Sequence, residues 1–210
     1  KARGEDVIGF GTGEPDFNTP ERIKQAGIRA IENNETRYTP VGGSDLLKEA
    51  IISKLKRDNG LAYEKNQILA SSGAKHSFYN LAQVLWQAGD EVIIPAPYWV
   101  SYPDMVLLAG GIPVILECNE KQGFKINPSE LEKTITKKTK WIILNSPSNP
   151  TGACYSENDI KEIAKVLIKH PQVYILSDDI YEHVAYEGFK FFTIAQIKEL
   201  KERVLTMNGV

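Results

Sequence analysis

Residues 173–182 read Val-Tyr-Ile-Leu-Ser-Asp-Asp-Ile-Tyr-Glu, and this stretch decides the fold class. The apolar run 173–176 is short and stops at two carboxylates, which is typical of a buried strand that ends at a polar edge. In open parallel sheets, ligands bind just outside the carboxyl ends of the strands. We therefore expect Asp178, with the phenol of Tyr181 close behind it, to belong to a site for a cationic or heteroaromatic ligand.

Similar apolar runs occur along the chain and alternate with helical patterns. The clearest helix follows Ser156, which with Asp159 predicts a capped start, and a last helix is predicted around 193–203. Several strands are continuous apolar runs, as expected when both faces of a mostly parallel sheet are covered by helices. The pattern predicts an α/β fold with three αβα layers. The predicted strands are 67–70, 91–95, 112–117, 141–144, 173–176 and 204–207.

The composition excludes several functional classes. The chain has 210 residues, 42% of them apolar and 25% charged, and its net charge is −2. Such a balance gives no basic surface for nucleic acid or for an anionic membrane. No apolar run is long enough to span a bilayer, and the first residues do not resemble a secretory signal, so we expect a cytoplasmic protein. Because the first residue is not Met, we also expect the chain to start inside a longer one.

Metal chemistry is not indicated by the sequence. The three histidines lack the spacing of metal ligands, and the two cysteines are far apart in the chain. Cysteines in such a sequence are expected to be free thiols, because no secretory signal is present. We predict no metal site.

A turn of small residues follows the predicted strand 67–70. It reads Ser71-Ser72-Gly73-Ala74-Lys75 and leads into a helical pattern. Free backbone N–H groups and the positive end of the helix dipole converge at such a turn, so it can bind an anion, and phosphate is the natural guest. An ordinary strand-to-helix turn explains the same residues equally well.

Two other predicted strand ends carry residues that suit a planar ligand. Trp99 follows the strand 91–95 and can stack on a ring, although a core aromatic is the simpler explanation of this residue alone. Asn149 lies in a polar, proline-rich loop after the strand 141–144. A phosphate pocket, a stacking ring and a carboxylate together suit a phosphorylated heteroaromatic cofactor.

At this point the sequence resembles a known family. The chain looks like the class I and II aminotransferases of the fold-type-I pyridoxal-phosphate superfamily, and it is most similar to the bacterial aspartate aminotransferases. The matching stretches occur in the family order and cover nearly the whole chain. They are Gly13-Glu14-Pro15-Asp16-Phe17, Tyr38-Thr39-Pro40 with Gly43, the aromatic stretch 97–103, the loop 145–152 and the stretch 177–182.

The resemblance implies a role for each matched residue. Asp178 would pair with the pyridine nitrogen of pyridoxal 5'-phosphate, and Tyr181 and Asn149 would hydrogen-bond the ring oxygen. Trp99 would stack on the ring. The cofactor phosphate would be held by residues from two subunits of a homodimer, namely Gly73, Ala74 and Lys75 of one and Tyr38 of the other. Gly13, Trp99 and Asn149 would contact the substrates, an amino acid and a 2-oxo acid.

The resemblance also predicts what this chain lacks. The Schiff-base lysine of the family is expected soon after a strand such as 204–207, beyond Val210, so no catalytic residue is assigned within the chain. We therefore predict that these 210 residues alone are inactive. The expected domains are an N-terminal segment with the first helix (1–35) and an incomplete cofactor-binding large domain (36–210).

Two other functions remain open from the sequence. One is a related pyridoxal-phosphate lyase or synthase that acts on amino acids, since such enzymes share most of these motifs. The other is a non-catalytic binding module that keeps the fold. Aspartate, aromatic amino acids and prephenate-type oxo acids are all compatible with the residues present.

Overall fold

The computed structural model describes residues 4, 6–8, 13, 16–186 and 188–209. The chain separates into two compact units, residues 1–40 and 41–210. In the described part of the first unit, one helix is present, α1 (Glu21–Glu32), which follows Pro20 and ends at Asn33. The domain bounds 1–35 and 36–210 stay a prediction.

The second unit alternates helices and strands, as the sequence pattern predicts. Among the described residues its helices are α2 (Asp45–Asn59), α3 (Ala74–Leu85), α4 (Ser101–Leu108), α5 (Pro128–Thr134) and α6 (Glu157–Lys169). Its strands are β1 (Glu91–Ala96), β2 (Ile112–Glu117), β3 (Thr139–Asn145), β4 (Tyr174–Asp178) and β5 (Val204–Met207). Short 3-10 helices cover Lys65–Gln67, Glu120–Gln122, Ile194–Gln196 and Lys198–Arg203.

The capped start predicted for α6 is present. The hydroxyl of Ser156 accepts a hydrogen bond from the backbone N–H of Asp159 at 3.2 Å, and Oδ2 of Asp159 accepts one from the N–H of Ser156 at 2.8 Å. These two bonds satisfy N–H groups that have no partner within the helix. The apolar stripe of α6 packs in one core with residues of the sheet.

Within the described residues, the strands form one parallel sheet in the order β2-β1-β3-β4-β5. Because all the strands run the same way, their carboxyl ends share one edge. At that edge Asn145 of β3 lies opposite Asp178 of β4, and Asp178 lies opposite Met207 of β5. The sheet therefore brings the polar strand ends side by side.

Helices cover both faces of the sheet, which confirms the three-layer αβα prediction. Successive side chains of a strand point to opposite faces. Ile142 and Ile175 belong to a core that they share with α2, α5 and α6, whereas Ile143 and Leu176 belong to a second core shared with α3 and α4. In the part of the chain that the structure describes, no helix has the length and hydropathy that crossing a membrane requires.

Two predicted elements differ from the structure. The segment 67–70 is not a strand: Ile68 has an extended backbone, but the segment pairs with no strand among the described residues, and the N–H of Ala70 binds the carbonyl of Gly42 instead. The segment 193–203 contains the two 3-10 helices rather than one continuous helix. A strand needs a hydrogen-bonding neighbour, and hydrophobic patterning alone does not supply one.

Candidate functional site

Asp178 is the last residue of β4, and its carboxylate is almost entirely buried, with 4% of the residue exposed. The phenol of Tyr102 donates a hydrogen bond to Oδ2 at 2.5 Å. The backbone N–H of Ile180 donates a longer one to Oδ1 at 3.3 Å. A carboxylate is thus held in one orientation at the edge where the strands end.

The electrostatics of this carboxylate favour a cationic partner. Burial raises the pKa of Asp178 above the ordinary value of an aspartate, while the hydrogen bonds from Tyr102 and Ile180 act in the opposite direction. Burial is also the main cause of the raised pKa of Tyr102, with the charge of Asp178 adding to it, so this phenol keeps its proton. A positive group placed beside Asp178 would offset the cost of burying the carboxylate.

Two aromatic residues connect Asp178 to α3. The ring of Trp99 meets the ring of Tyr102 edge to face, with centroids 5.4 Å apart. Nζ of Lys75, in the first turn of α3, lies 5.1 Å from the Trp99 ring centroid. The start of α3, the aromatic residues around α4 and the end of β4 therefore form one continuous cluster.

The loop after β3 joins the same cluster from the other side. The side-chain amide of Asn145 donates a 2.9 Å hydrogen bond to the backbone carbonyl of Asp178. Its carbonyl oxygen accepts one at 2.8 Å from the backbone N–H of Asn149. Asn145 therefore fixes the position of Asn149 relative to the end of β4.

The start of α3 has the form of an anion-binding turn. Gly73 precedes the helix with φ of +91°, a conformation that favours glycine, and it is exposed. The first N–H groups of a helix have no partner within it, and the positive end of the dipole lies there too. The N–H of Ser72 is already used, since it donates to Nδ1 of His76 at 3.2 Å, and the N–H of Gly73 donates to the carbonyl of Ser71 at 2.9 Å. A phosphate group would therefore be bound by the N–H groups from Ala74 onward.

The turn after β4 places Tyr181 at the surface of the cluster. The N–H of Glu182 donates to the carbonyl of Asp179 at 3.0 Å, which closes the turn. Tyr181 is 36% exposed.

Asp179 lies on a different side of the strand end from Asp178. Its Oδ1 accepts a 2.7 Å hydrogen bond from the hydroxyl of Ser177, whereas its buried Oδ2 has no hydrogen-bond partner among the described residues. Burial raises the pKa of Asp179 to about 6, while Ser177, Thr193 and the charge of Lys54 act in the opposite direction. This carboxyl supports the turn and does not face the aromatic cluster.

The structure brings together the predicted site residues of the second unit. Lys75 contacts Trp99, and Trp99 is linked to Asp178 through Tyr102. Asn149 is linked to Asp178 through Asn145. Gly73 and Ala74 lie beside Lys75 at the start of α3, and Tyr181 lies in the turn that follows β4. Gly13 and Tyr38 belong to the first unit. The roles assigned to all these residues stay predictions.

Two residues, Tyr102 and Asn145, have structural roles at this site that the sequence did not predict. Tyr102 lies within the quoted aromatic stretch, three residues after Trp99. Asn145 is the final residue of β3, where a side chain can reach the next strand. Neither contact can be derived from sequence spacing, because the contact of Asn145 depends on which strands are neighbours and that of Tyr102 depends on how α4 packs on the sheet.

The donors present fit a phosphorylated, nitrogen-containing aromatic cofactor. Asp178 offers a buried anion without a cationic partner among the described residues, Trp99 offers a ring, and the start of α3 offers N–H groups. This combination matches a ring nitrogen that carries a proton at one end of the ligand and a phosphate at the other.

Comparisons with known proteins agree with this chemistry. The family model for "Aminotransferase class I and II" matches residues 5–210. A probable aspartate/prephenate aminotransferase of Rickettsia bellii is 56% identical over the whole chain, which covers 53% of that protein. The chain thus spans about half the length of the relatives it matches.

Solved structures are similar over the same region. The aspartate aminotransferase of Rhizobium meliloti is 49% identical with a TM-score of 0.97, over all of this chain and 52% of that one. The aspartate aminotransferase of Thermus thermophilus with maleate is 40% identical with a TM-score of 0.94, over all of this chain and 54% of that one.

Proposed function

Since the chain belongs to the class I and II aminotransferase family, we propose that the full-length protein transfers an amino group between an L-amino acid and a 2-oxo acid, with pyridoxal 5'-phosphate as cofactor. The observation that carries the proposal is the buried carboxylate of Asp178, oriented by Tyr102 at the edge where the strands end. Among the described residues no cation neutralises it, so a protonated ring nitrogen is its natural partner.

Bound pyridoxal phosphate supplies an electron sink for negative charge at the α-carbon of the substrate. In this proposal Asp178 holds a proton on the ring nitrogen, and its burial makes that interaction strong. Tyr102 would hold the carboxylate in one orientation beside the ring nitrogen. Asn149 and Tyr181 would hydrogen-bond the ring oxygen.

The remaining residues position the cofactor. Trp99 stacks on the ring, and its edge-to-face contact with Tyr102 fixes the angle of the indole. Gly73, Ala74 and Lys75 hold the phosphate at the start of α3, mainly through the N–H groups of Ala74 and Lys75. Lys75 lies in the first turn of α3, so its ammonium would add a positive charge near the same anion.

We propose a dicarboxylic amino acid such as aspartate as the amino donor. A protein similar to this one is named aspartate/prephenate aminotransferase, and the Thermus thermophilus structure contains maleate, a dicarboxylate. Gly13 would lie against the substrate carboxylate. A prephenate-type oxo acid or 2-oxoglutarate would be the acceptor.

We also propose that the full-length protein is a cytoplasmic homodimer. Tyr38 would reach the cofactor phosphate of the neighbouring subunit, so each site would need both copies. Sedimentation of the full-length protein would test the dimer, and mixing two inactive variants would test the sharing. If Tyr38→Phe and Asp178→Ala proteins regain activity when mixed, the two residues act in one shared site.

Titration of the full-length protein with pyridoxal phosphate tests the function itself. We expect an absorbance band of bound cofactor at one equivalent per chain, and amino transfer from aspartate to an oxo acid from a panel. Asp104→Asn, a change at an exposed position of α4, is the control that should behave as the wild type. A protein that binds no cofactor, or binds it but transfers no amino group to any acceptor, would contradict the proposal.

A further inference from the structure

Glu182 is a buried carboxylate at the end of the turn that follows β4, with 6% of the residue exposed. Both of its oxygens are held by residues of α2. Nζ of Lys54 contacts Oε1, and the amide of Asn59 donates to Oε2 at 2.6 Å. Lys54 also donates to Oδ1 of Asn59 at 2.9 Å, so the three side chains form a closed triangle.

The triangle is shielded from water. The side chain of Lys54 is 24% exposed and that of Glu182 is 3% exposed. The ring of His183, which is mostly exposed, places Nε2 3.2 Å from Oε1 of Glu182 and is the other basic group at this carboxylate among the described residues. Removing one partner of a buried ion pair leaves the other charge uncompensated, which is costly.

The same turn carries the proposed cofactor ligands. Asp178 lies at its start, Tyr181 lies within it, and Glu182 closes it through the N–H bond to the carbonyl of Asp179. The N–H of Asp179 is bonded to the carbonyl of Met207 at 2.8 Å, so the start of the turn is fixed to β5. The far end is fixed to α2 by the triangle alone among the side-chain contacts described.

The turn also concentrates negative charge. Asp178, Asp179 and Glu182 are all buried. The ammonium of Lys54 pairs with Glu182, and its charge also reaches Asp179, where it opposes the effect of burial. One cation on α2 therefore stabilises two of the three carboxylates.

We propose that Lys54, Asn59 and Glu182 are positioning residues: they anchor the turn 178–182 to α2 and so orient Asp178 and Tyr181 toward the ligand without touching it. The part of the inference that concerns the cofactor rests on the function proposed above.

Full-length protein with Lys54→Met tests the anchor, and Lys56→Met is the matched control, because Lys56 is exposed on the same helix. The first readout is hydrogen exchange of the 178–184 amides in protein without cofactor. The second is the Kd for pyridoxal phosphate, measured at a temperature where circular dichroism shows every variant to be folded.

We expect Lys54→Met to speed exchange in 178–184 and to weaken cofactor affinity on the order of 10-fold or more, as when a supporting partner of a ligand is lost. Lys56→Met should match the wild type. Lys54→Arg should restore most of the affinity, because it returns a cation. Lys54→Met combined with Glu182→Gln should lose less affinity than Lys54→Met alone, since no buried charge is left unpaired.

Unchanged exchange and an unchanged Kd in Lys54→Met would overturn the inference while leaving the proposed function in place. A wild-type protein that binds no pyridoxal phosphate would instead contradict the proposed function, and the exchange comparison would still decide the anchoring. If Lys54→Met does not fold, Lys54→Gln and Glu182→Gln provide the same comparison, and wild-type behaviour in both would overturn the anchor.

Discussion

The phenol of Tyr102 donates a 2.5 Å hydrogen bond to the buried carboxylate of Asp178, a residue 76 positions further along the chain. Tyr102 lies in the first turn of α4 and Asp178 at the end of β4. The pair joins a helix on one face of the sheet to the edge where ligands bind in parallel sheets. Substitutions at Tyr102 and at Asp178 therefore test the role of this hydrogen bond.

Replacing Tyr102 by Phe removes this hydrogen bond and little else. A hydrogen bond to a charged group contributes about 1.5–3 kcal/mol, so we expect affinity for pyridoxal phosphate to fall roughly 10- to 100-fold. Tyr174→Phe is the control, because Tyr174 is half-exposed at the opposite end of β4. The measurement is cofactor titration of the full-length protein. Equal affinities for the two variants would show that Tyr102 does not orient Asp178.

Replacing Asp178 itself removes the proposed partner of the ring nitrogen. In the full-length protein we expect Asp178→Ala to lower the rate of α-proton abstraction on the order of 100-fold or more, because a charge-assisted contact at the reacting system is lost. Asp178→Asn keeps the size of the side chain and separates loss of charge from loss of packing. Exchange of the substrate α-hydrogen with deuterium measures this step. Near-normal rates in both variants would show that Asp178 is misassigned.

Asp179 predicts a pH dependence of stability. Its pKa rises from 3.8 to about 6 on folding, mainly through burial, so the folded protein holds this proton more tightly than the unfolded chain. Stability from this group is therefore present at low pH and is lost as the pH rises from about 4 to about 6. The side chain of the Asp179→Asn variant cannot ionise. The free energy of unfolding of this variant minus that of the wild type should therefore increase as the pH rises over this range, by about 3 kcal/mol at most.

Denaturant unfolding of the full-length wild type and of Asp179→Asn, at several pH values, provides the test for Asp179. The difference between the two curves removes the contribution of every titrating group that does not interact with Asp179. Asp104→Asn, at an exposed position of α4, should show no such trend. A difference that stays constant between pH 4 and pH 7 would mean that Asp179 ionises with an ordinary pKa.

Two glycines with positive φ should respond differently to alanine. At Gly73 an added Cβ meets nothing within 4 Å, so the cost is backbone strain of roughly 1–3 kcal/mol, because φ of +91° with ψ of 160° is a conformation found almost only in glycine. At Gly43 the added Cβ lies 2.9 Å from Cβ of Ala70, so a clash adds to the strain. We expect Gly43→Ala to lower the free energy of unfolding more than Gly73→Ala does, whereas Gly73→Ala should weaken pyridoxal phosphate binding more.

Thermal unfolding and cofactor titration of the full-length protein separate these two effects of the glycine variants. Equal losses of stability would indicate that Ala70 moves aside at little cost. Wild-type cofactor affinity in Gly73→Ala would argue against phosphate binding at the start of α3.

Much of the architecture could be predicted from local sequence patterns. The apolar run before Asp178 and the capped stripe after Ser156 depend on residues near each other in the chain, and both form as predicted. The segment 67–70 did not become a strand, because a strand also requires a neighbour that its own residues do not encode. Local pattern therefore determined the type of most elements and the polar residues at strand ends.

The sequence by itself determined the three-layer α/β fold, placed Asp178, Asn149 and Trp99 after strands, and placed Lys75 at the start of a helix. Only the tertiary structure decided which side chains meet. The sheet order sets β3 beside β4, so Asn145 reaches Asp178, and packing of α4 and α2 brings Tyr102 to Asp178 and Lys54 to Glu182. Lys54 and Glu182 are 128 residues apart in the chain. Such contacts depend on the order of the strands and on how the helices pack against the sheet, and the hydrophobic periodicity of the sequence does not encode either.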